Sequence, residues 1–129
     1  MDNRPGTFGW NELATTDPKE GRRFYESLFG WTSEEQEGSP AGTYTMFRNA
    51  GRLAAGMMKI GEDWGPIPPH WMVYFAVPNC DASVERASKR GAEVRVPPSD
   101  IPDVGRFAVL TDPQGAAFSI IALLNPEPN

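Results

Sequence analysis

The sequence predicts an α+β fold of two tandem βαβββ modules that form a curved, cup-shaped mixed sheet with the helices on its convex side. Two segments carry the same order of strand and helix signals: WNELATTDPKEGRRFYESLFGW from Trp10 and WMVYFAVPNCDASVERASKRGAEV from Trp71. Trp10 and Trp71 are as far apart in the chain as Gly30 and Gly91, where the two predicted helices end. A hairpin signal follows each helix, so the pattern indicates an internal repeat.

The first module has its clearest signal at the start of its helix. A strand is predicted at Phe8–Thr15. Asp17 can then cap a helix, Pro18 suits the first helical turn, and Glu20 can reach back as in a capping box. The module is completed by a short strand at Trp31–Glu37 and by a hairpin of Thr43–Arg48 and Leu53–Lys59 around Asn49–Arg52.

The second module repeats this order of elements. Its first strand is predicted at Trp71–Val77, and either Asn79 or Asp81 caps the helix that follows. A short strand at Glu93–Val96 precedes a proline-rich stretch, Pro97–Gly105, which is predicted to be a loop. The module ends in the strands Val104–Leu110 and Ala116–Leu123, which flank a turn at Thr111–Gly115.

The length of 129 residues is usual for one domain with its own core. We therefore expect a single domain, residues 1–129, with module one at about 7–60, a proline- and glycine-rich linker at 61–69 and module two at about 70–124.

Composition argues against several classes of partner. The formal net charge is −5, and phosphate binding needs a basic face, so neither nucleic acid nor an anionic membrane is an expected partner. Cys80 is the only cysteine, so no intrachain disulfide can form. The start of the chain, MDNRPGTFGW, does not have the pattern of a signal peptide, and no apolar run is long enough to span a bilayer. A soluble cytoplasmic protein is expected.

Strand alternation divides the side chains between the helix side of the sheet and the opposite face. Phe24 and Leu28, with Tyr25 and Phe29, are spaced to give the first helix an apolar face. Leu13 is expected on the helix side, because Phe24 and Leu28 need apolar partners. Val73 and Phe75 are expected to face the second helix. The opposite, concave face is predicted to be an aromatic-lined cavity for a small organic ligand. Its candidate ligand-binding residues are Trp10, Glu12, Met58, Met72, Tyr74, Arg106, Phe107 and Ser119.

Glu12 has the strongest case for a chemical role. A carboxylate between Trp10 and Leu13 on a buried strand is costly unless it is paired or protonated. Arg48 or Arg106 could pair with it. A structural ion pair and a functional acid or base are equally open alternatives for this residue.

Three stretches of the chain carry a resemblance to a known superfamily: TTDPKEGRRFYESLFGW, HWMVYFAVPNCD and GRFAVLTDPQGAAFSII. They resemble the vicinal oxygen chelate superfamily, which includes glyoxalase I, bleomycin-resistance proteins and extradiol dioxygenases, and in particular its small bacterial members. The resemblance implies a cup-shaped sheet from each module and homodimerisation. In the metalloenzymes it also implies a divalent ion, held by His, Gln or Glu on the first and last strands of each module.

The metal positions implied by the resemblance do not carry metal-binding residues in this chain. Carried over on the helix and hairpin motifs, they fall on Trp10, Gly56, Met72 and Ser119. None of these is a usual ligand for zinc, nickel or iron. His70, the only histidine, lies two residues before Met72 and is expected at the rim of the cavity. We therefore expect neither a metal nor another cofactor.

The leading hypothesis is that the chain is a metal-free member of this superfamily that binds a small organic ligand in its cup. Bleomycin-resistance proteins illustrate such binding, because they sequester a ligand without reacting with it. The first alternative is an acid–base lyase or isomerase, with Glu12 as base and Tyr74 or His70 as acid. A glyoxalase- or dioxygenase-like enzyme with a non-standard metal site and a structural domain with a filled cup are further alternatives. The sequence leaves open whether a cup forms within one chain or across a dimer.

Overall fold

The computed structural model describes residues 4–39, 42–61, 67–101 and 104–124. The chain divides into two compact units. Residues 11–71 belong to the module-one unit, and residues 4–10 and the described residues from 72 onward belong to the module-two unit. Part of the predicted linker, residues 62–66, and part of the predicted proline-rich loop, residues 102–103, lie outside the described residues.

Helices and strands follow the predicted order in both modules. Module one contains β1 (Phe8–Thr15), α1 (Pro18–Phe29), β2 (Thr32–Ser39), β3 (Gly42–Asn49) and β4 (Arg52–Lys59). Module two contains β5 (His70–Ala76), α2 (Cys80–Lys89), β6 (Glu93–Ile101), β7 (Gly105–Thr111) and β8 (Ala117–Leu123). The α+β class and the two βαβββ modules are thereby confirmed.

Each module places its first strand beside its last strand. The strand order is β2-β3-β4-β1 in module one and β5-β8-β7-β6 in module two. The β1–β4 and β5–β8 pairs are parallel, and the remaining pairs within each module are antiparallel. The parallel register sets Glu12 opposite Gly56 and Tyr74 opposite Ser119. These two residue pairs therefore occupy equivalent positions in the repeat.

Local signals account for the starts of both helices and for the end of α1. The Asp17 carboxylate accepts a hydrogen bond from the Glu20 N–H at 3.2 Å, and Gly30 ends α1 with a φ of 71°. The second half of the predicted capping box is wrong, because the Asp17 N–H donates to the Thr15 hydroxyl rather than to Glu20. Asn79, one of the two candidates, caps α2 by accepting from the Ala82 N–H at 3.0 Å.

The strand β6 corrects the prediction of a loop at the second proline-rich stretch. It runs from Glu93 to Ile101 and passes through Pro97 and Pro98. Its pairing with β7 shifts register on both sides of Val96, as at a β-bulge. Because β6 is the last strand in the module-two order, its prolines have no outer neighbour to which they would need to donate.

In module two, the helix and the sheet share a core as predicted. Four buried residues form its centre: Cys80, Ala108, Leu110 and Ile120. Partly buried hydrophobic residues pack around them: Phe75, Val77, Val84, Ala87, Phe118 and Ala122. The predicted helix-facing position of Phe75 is therefore confirmed.

In module one, α1 packs through a different stripe from the predicted one. A Cβ at Gly21 would lie only 3.5 Å from Leu13 Cδ2, and Tyr25, one turn later, packs against the buried cluster that contains Leu13. Phe24 and Leu28, which were predicted to cover Leu13, are 55% and 57% exposed. The helix-side position of Leu13 is confirmed, and Tyr25 of the predicted apolar face packs against its cluster. The predicted cover by Phe24 and Leu28 is wrong, because the missing side chain at Gly21 lets the helix approach the sheet along the Gly21–Tyr25 stripe.

In the described part of the chain, no helix has the length and apolar character needed to cross a membrane.

The contrast between the module-two core and the outer face of α1 can be measured with one kind of substitution. Leu110→Ala should lower the free energy of unfolding by about 2–5 kcal/mol, because Leu110 is fully buried. Leu28→Ala should change it by less than about 1 kcal/mol, because Leu28 is exposed on α1. Urea denaturation checks both values. Equal losses in the two variants would show that the outer face of α1 is packed.

Candidate functional site

Glu12 on β1 is held by a tyrosine on β3, on the far side of β4. The Tyr44 hydroxyl donates a hydrogen bond of 2.6 Å to Glu12 Oε2, and Glu12 is only 7% exposed. A donor this close to a buried carboxylate offsets part of the cost of removing the carboxylate from water. Glu12 is thus a buried, hydrogen-bonded acid.

Gly56 makes room for this contact. Tyr44 lies over Gly56, and a Cβ added at Gly56 would overlap the hydroxyl and ring of Tyr44. Gly56 is also the residue opposite Glu12 in the β1–β4 register. The absence of a side chain on β4 therefore allows the phenol of β3 to reach the carboxylate of β1.

Met58 adds an apolar surface to the same side of module one. It is opposite both Tyr44 on β3 and Ala14 on β1, and it is half-buried. We call the side of the sheet that carries Glu12, Tyr44 and Met58 the Glu12 face. It combines one acid, one phenol and one thioether, which is a small polar group beside apolar contact area.

The expected arginine partners of Glu12 bind other carboxylates. The Arg48 Nε donates to Glu34 at 2.6 Å. Arg106 donates to Asp81 at 2.9 and 3.2 Å and to Asp100 at 2.9 Å. The side chains of both arginines are thus engaged by carboxylates of β2, β6 and α2.

In module two, three of the predicted ligand-binding residues come together. Tyr74 is buried, its ring centroid lies 6.5 Å from that of Phe107, and its Cα partner on β8 is Ser119. Ser119 is fully buried, and its hydroxyl has no hydrogen-bond partner within the described residues. A buried hydroxyl without a protein partner is uncommon in native structures.

Tyr44 is the main residue that the sequence reasoning missed, although the repeat contained the signal. On β3, Tyr44 lies two residues before Met46, the partner of Gly56. On β7, Phe107 lies two residues before Val109, the partner of Ser119. Phe107 was predicted as a ligand contact. The position in module one that is equivalent to Phe107 by the strand register is Tyr44.

The remaining candidates are Trp10, Met72, His70 and Arg106. Trp10 and Met72 are half-buried, on β1 and β5. His70 is the first residue of β5, and its Nδ1 donates to the Pro68 carbonyl at 2.9 Å. Arg106 donates hydrogen bonds to the carboxylates of α2 and β6, and these bonds, to Asp81 first and then to Asp100, raise the pKa of its guanidinium.

Cys80 does not have the surroundings of a nucleophile. It is buried in the module-two core, and burial, together with the charge of Asp81, raises the pKa of its thiol. The thiol form therefore persists, and Cys80 acts in packing.

The residues at the metal positions implied by the resemblance do not fit a divalent ion. In module one, the phenol of Tyr44 fills the space above Gly56 from which a β4 ligand would project. In module two, the equivalent position carries the hydroxyl of Ser119. No group of three His, Cys, Asp or Glu side chains able to hold a metal occurs in the described ranges. We therefore derive no step through a metal.

Comparison with known sequences finds a family and several relatives. A sequence model of the Glyoxalase/Bleomycin resistance protein/Dioxygenase superfamily matches residues 7–120. CFP32 of Mycobacterium tuberculosis, whose name assigns it provisionally to the glyoxylases, is 42% identical over 123 residues, or 92% of this chain. The anthracycline biosynthesis protein DnrV of Streptomyces peucetius is 36% identical over 128 residues, or 90% of this chain. The chain spans only 45% and 46% of the lengths of these relatives.

Comparison with solved structures finds the same fold. A methylmalonyl-CoA epimerase in complex with methylmalonyl-CoA and NH4+ has a TM-score of 0.68 at 14% identity, and the match covers 97% of this chain and 99% of that one. A variant of the Streptomyces coelicolor methylmalonyl-CoA epimerase has a TM-score of 0.66 at 14% identity, and the match covers 94% and 99%. At this identity the likeness shows the fold.

The contact above Gly56 can be tested by adding a single carbon. Gly56→Ala should lower the free energy of unfolding by about 1–3 kcal/mol, because the new Cβ displaces Tyr44. In a Tyr44→Ala background the same change should cost clearly less, because the overlap is gone. Urea denaturation of the four proteins measures the difference. A Gly56→Ala cost that is the same in both backgrounds would contradict the packing described.

Proposed function

We infer that this chain, which belongs to the Glyoxalase/Bleomycin resistance protein/Dioxygenase superfamily, binds a small organic molecule on the Glu12 face of module one. The observation that carries the proposal is the 2.6 Å hydrogen bond from Tyr44 to the buried carboxylate of Glu12. A phenol and a carboxylate fixed against each other form a preorganised polar group, which orients a ligand at a low entropic cost.

The chemistry of this face favours a ligand that brings a hydrogen-bond donor or a positive charge. A carboxylate accepts more than one hydrogen bond, so Glu12 can receive an N–H or O–H of the ligand in addition to the Tyr44 hydroxyl. Met58 offers apolar contact area beside this pair. The net charge of −5 also favours a cationic ligand over an anionic one.

We propose that the ligand binds through these side chains without a metal. The name of the relative DnrV refers to anthracyclines, which are flat aromatic molecules that carry hydroxyl groups and an amino sugar. Such molecules combine the apolar surface and the cationic donor that the Glu12 face would recognise, so an anthracycline is a suitable first probe.

The second candidate function is acid–base catalysis. Glu12, buried and hydrogen-bonded to Tyr44, has the surroundings of a carboxylate that takes a proton from a carbon acid. Structures of the same fold are named as epimerases, which supports this candidate through the fold alone. Deuterium uptake from D2O into a bound ligand, lost in Glu12→Gln while ligand affinity stays within about twofold, would favour catalysis over binding.

The binding proposal is tested by titrating the chain with doxorubicin, an anthracycline, and following the fluorescence of the drug. Glu12→Gln should weaken binding by at least about tenfold, because a hydrogen bond to a charged group is lost. Tyr44→Phe should weaken it by about fivefold, because Glu12 loses its orientation.

Glu85→Gln is the matched control, since Glu85 is an exposed acid on α2 that pairs with Lys89. It should bind the drug as the unmodified chain does. Unchanged affinity in Glu12→Gln, or the same loss in Glu85→Gln, would overturn the assignment of the ligand to the Glu12 face.

A further inference from the structure

Module one has an open groove on the side of the sheet opposite the Glu12 face. Its volume is about 400 Å³, within the range of sites that hold small molecules. Asn11, next to Glu12 on β1, lines it, and neighbouring residues of a strand point to opposite faces. Ala55, which also lines it, belongs to the core cluster beneath α1. The groove is therefore distinct from the proposed ligand site at Glu12.

Aromatic rings form the walls of the groove. The ring planes of Tyr25 and Trp31 lie within 25° of each other, with their centroids 6.1 Å apart. Trp71 stands nearly perpendicular to both, at 82° to Tyr25 and 88° to Trp31. Ala54 and Ala55 line the groove beside these rings, and their small side chains leave its depth free. The result is a right-angled corner of flat apolar surfaces, which suits a flat aromatic guest.

The polar groups of the groove define what such a guest must carry. The Trp71 indole N–H donates to the Tyr25 hydroxyl oxygen at 3.0 Å, so the hydroxyl keeps its own hydrogen for another acceptor. In the described part of the chain, that hydrogen has no acceptor, and the Asn11 side-chain amide makes no hydrogen bond. Both groups can therefore bind a carbonyl or ring nitrogen of a guest.

The charges of the residues that line the groove further restrict the chemical class of the guest molecule. No carboxylate, ammonium or guanidinium group is among the residues that line the groove, although the chain as a whole has a net charge of −5. An ion placed there would lose water without gaining a charged partner. The surface thus complements an uncharged molecule. Trp71 and Phe29, which also line it, are 42% and 53% exposed, so a guest would cover apolar area that now faces water.

We propose that this helix-side groove is a second binding site, for a flat, uncharged aromatic molecule with a hydrogen-bond-accepting carbonyl. The guest stacks in the corner of Tyr25, Trp31 and Trp71 and accepts a hydrogen bond from the Tyr25 hydroxyl. This site does not depend on the proposed function at Glu12.

The test uses two probes that differ in one group: 9-fluorenone, a flat aromatic ketone, and fluorene, its counterpart without the carbonyl. Equilibrium dialysis against the full chain should show tighter binding of fluorenone. Tyr25→Phe should weaken fluorenone binding by about fivefold and leave fluorene binding unchanged, because one hydrogen bond is lost. Ala54→Leu should weaken both probes by at least about tenfold, because the added side chain fills the groove.

Two controls separate this site from its neighbours. Leu28→Ala alters an exposed residue of α1 that does not line the groove, and Glu12→Gln alters the other face. Both should bind fluorenone as the unmodified chain does. Equal affinity for the two probes, or fluorenone binding that survives Ala54→Leu in a chain with an unchanged urea midpoint, would overturn the proposal. A third outcome would also overturn the proposal: light scattering shows a dimer, the dimer does not bind fluorenone, and Leu28→Ala dissociates it. A second copy of the chain would then occupy the groove.

Discussion

The parallel pairing of the first and last strands in each module determines which side chains can meet at the candidate site. In module one this register sets Glu12 opposite Gly56, and in module two it sets Tyr74 opposite Ser119. The lack of a side chain at Gly56 on β4 then lets Tyr44 of β3 reach across to Glu12 on β1. A buried acid with a fixed phenol donor follows from this register, and the proposed ligand binding follows from that acid.

The parts of the fold that the sequence predicts well depend on interactions between near neighbours in the chain. The cap of Asp17 on the N–H of Glu20 and the left-handed Gly30 both use atoms within one helical turn. The first hairpin likewise turns where Ala50 and Gly51 take positive φ, as its sequence predicts. Such signals depend little on what packs against them, so the order and bounds of the elements could be read with few errors.

The predictions that failed depend on contacts between residues far apart in the chain. The spacing of Phe24 and Leu28 indicates an apolar helix face, but the missing side chain of Gly21 decides which stripe of α1 approaches the sheet. Charge alone suggests arginines as partners of Glu12, and the fold brings a phenol donor, Tyr44, to the same carboxylate. Hydrophobic periodicity and charge can propose partners, but the choice between them depends on distances that only the folded chain sets.

The most direct test of this account is a double-mutant cycle over Glu12→Gln and Tyr44→Phe, with the free energy of unfolding measured in urea. A charge-assisted hydrogen bond between the two side chains predicts that Tyr44→Phe costs about 1 kcal/mol more in the unmodified chain than in the Glu12→Gln background. Equal costs in the two backgrounds would show that Tyr44 does not stabilise the carboxylate. The candidate site would then lose the interaction on which its proposed function depends.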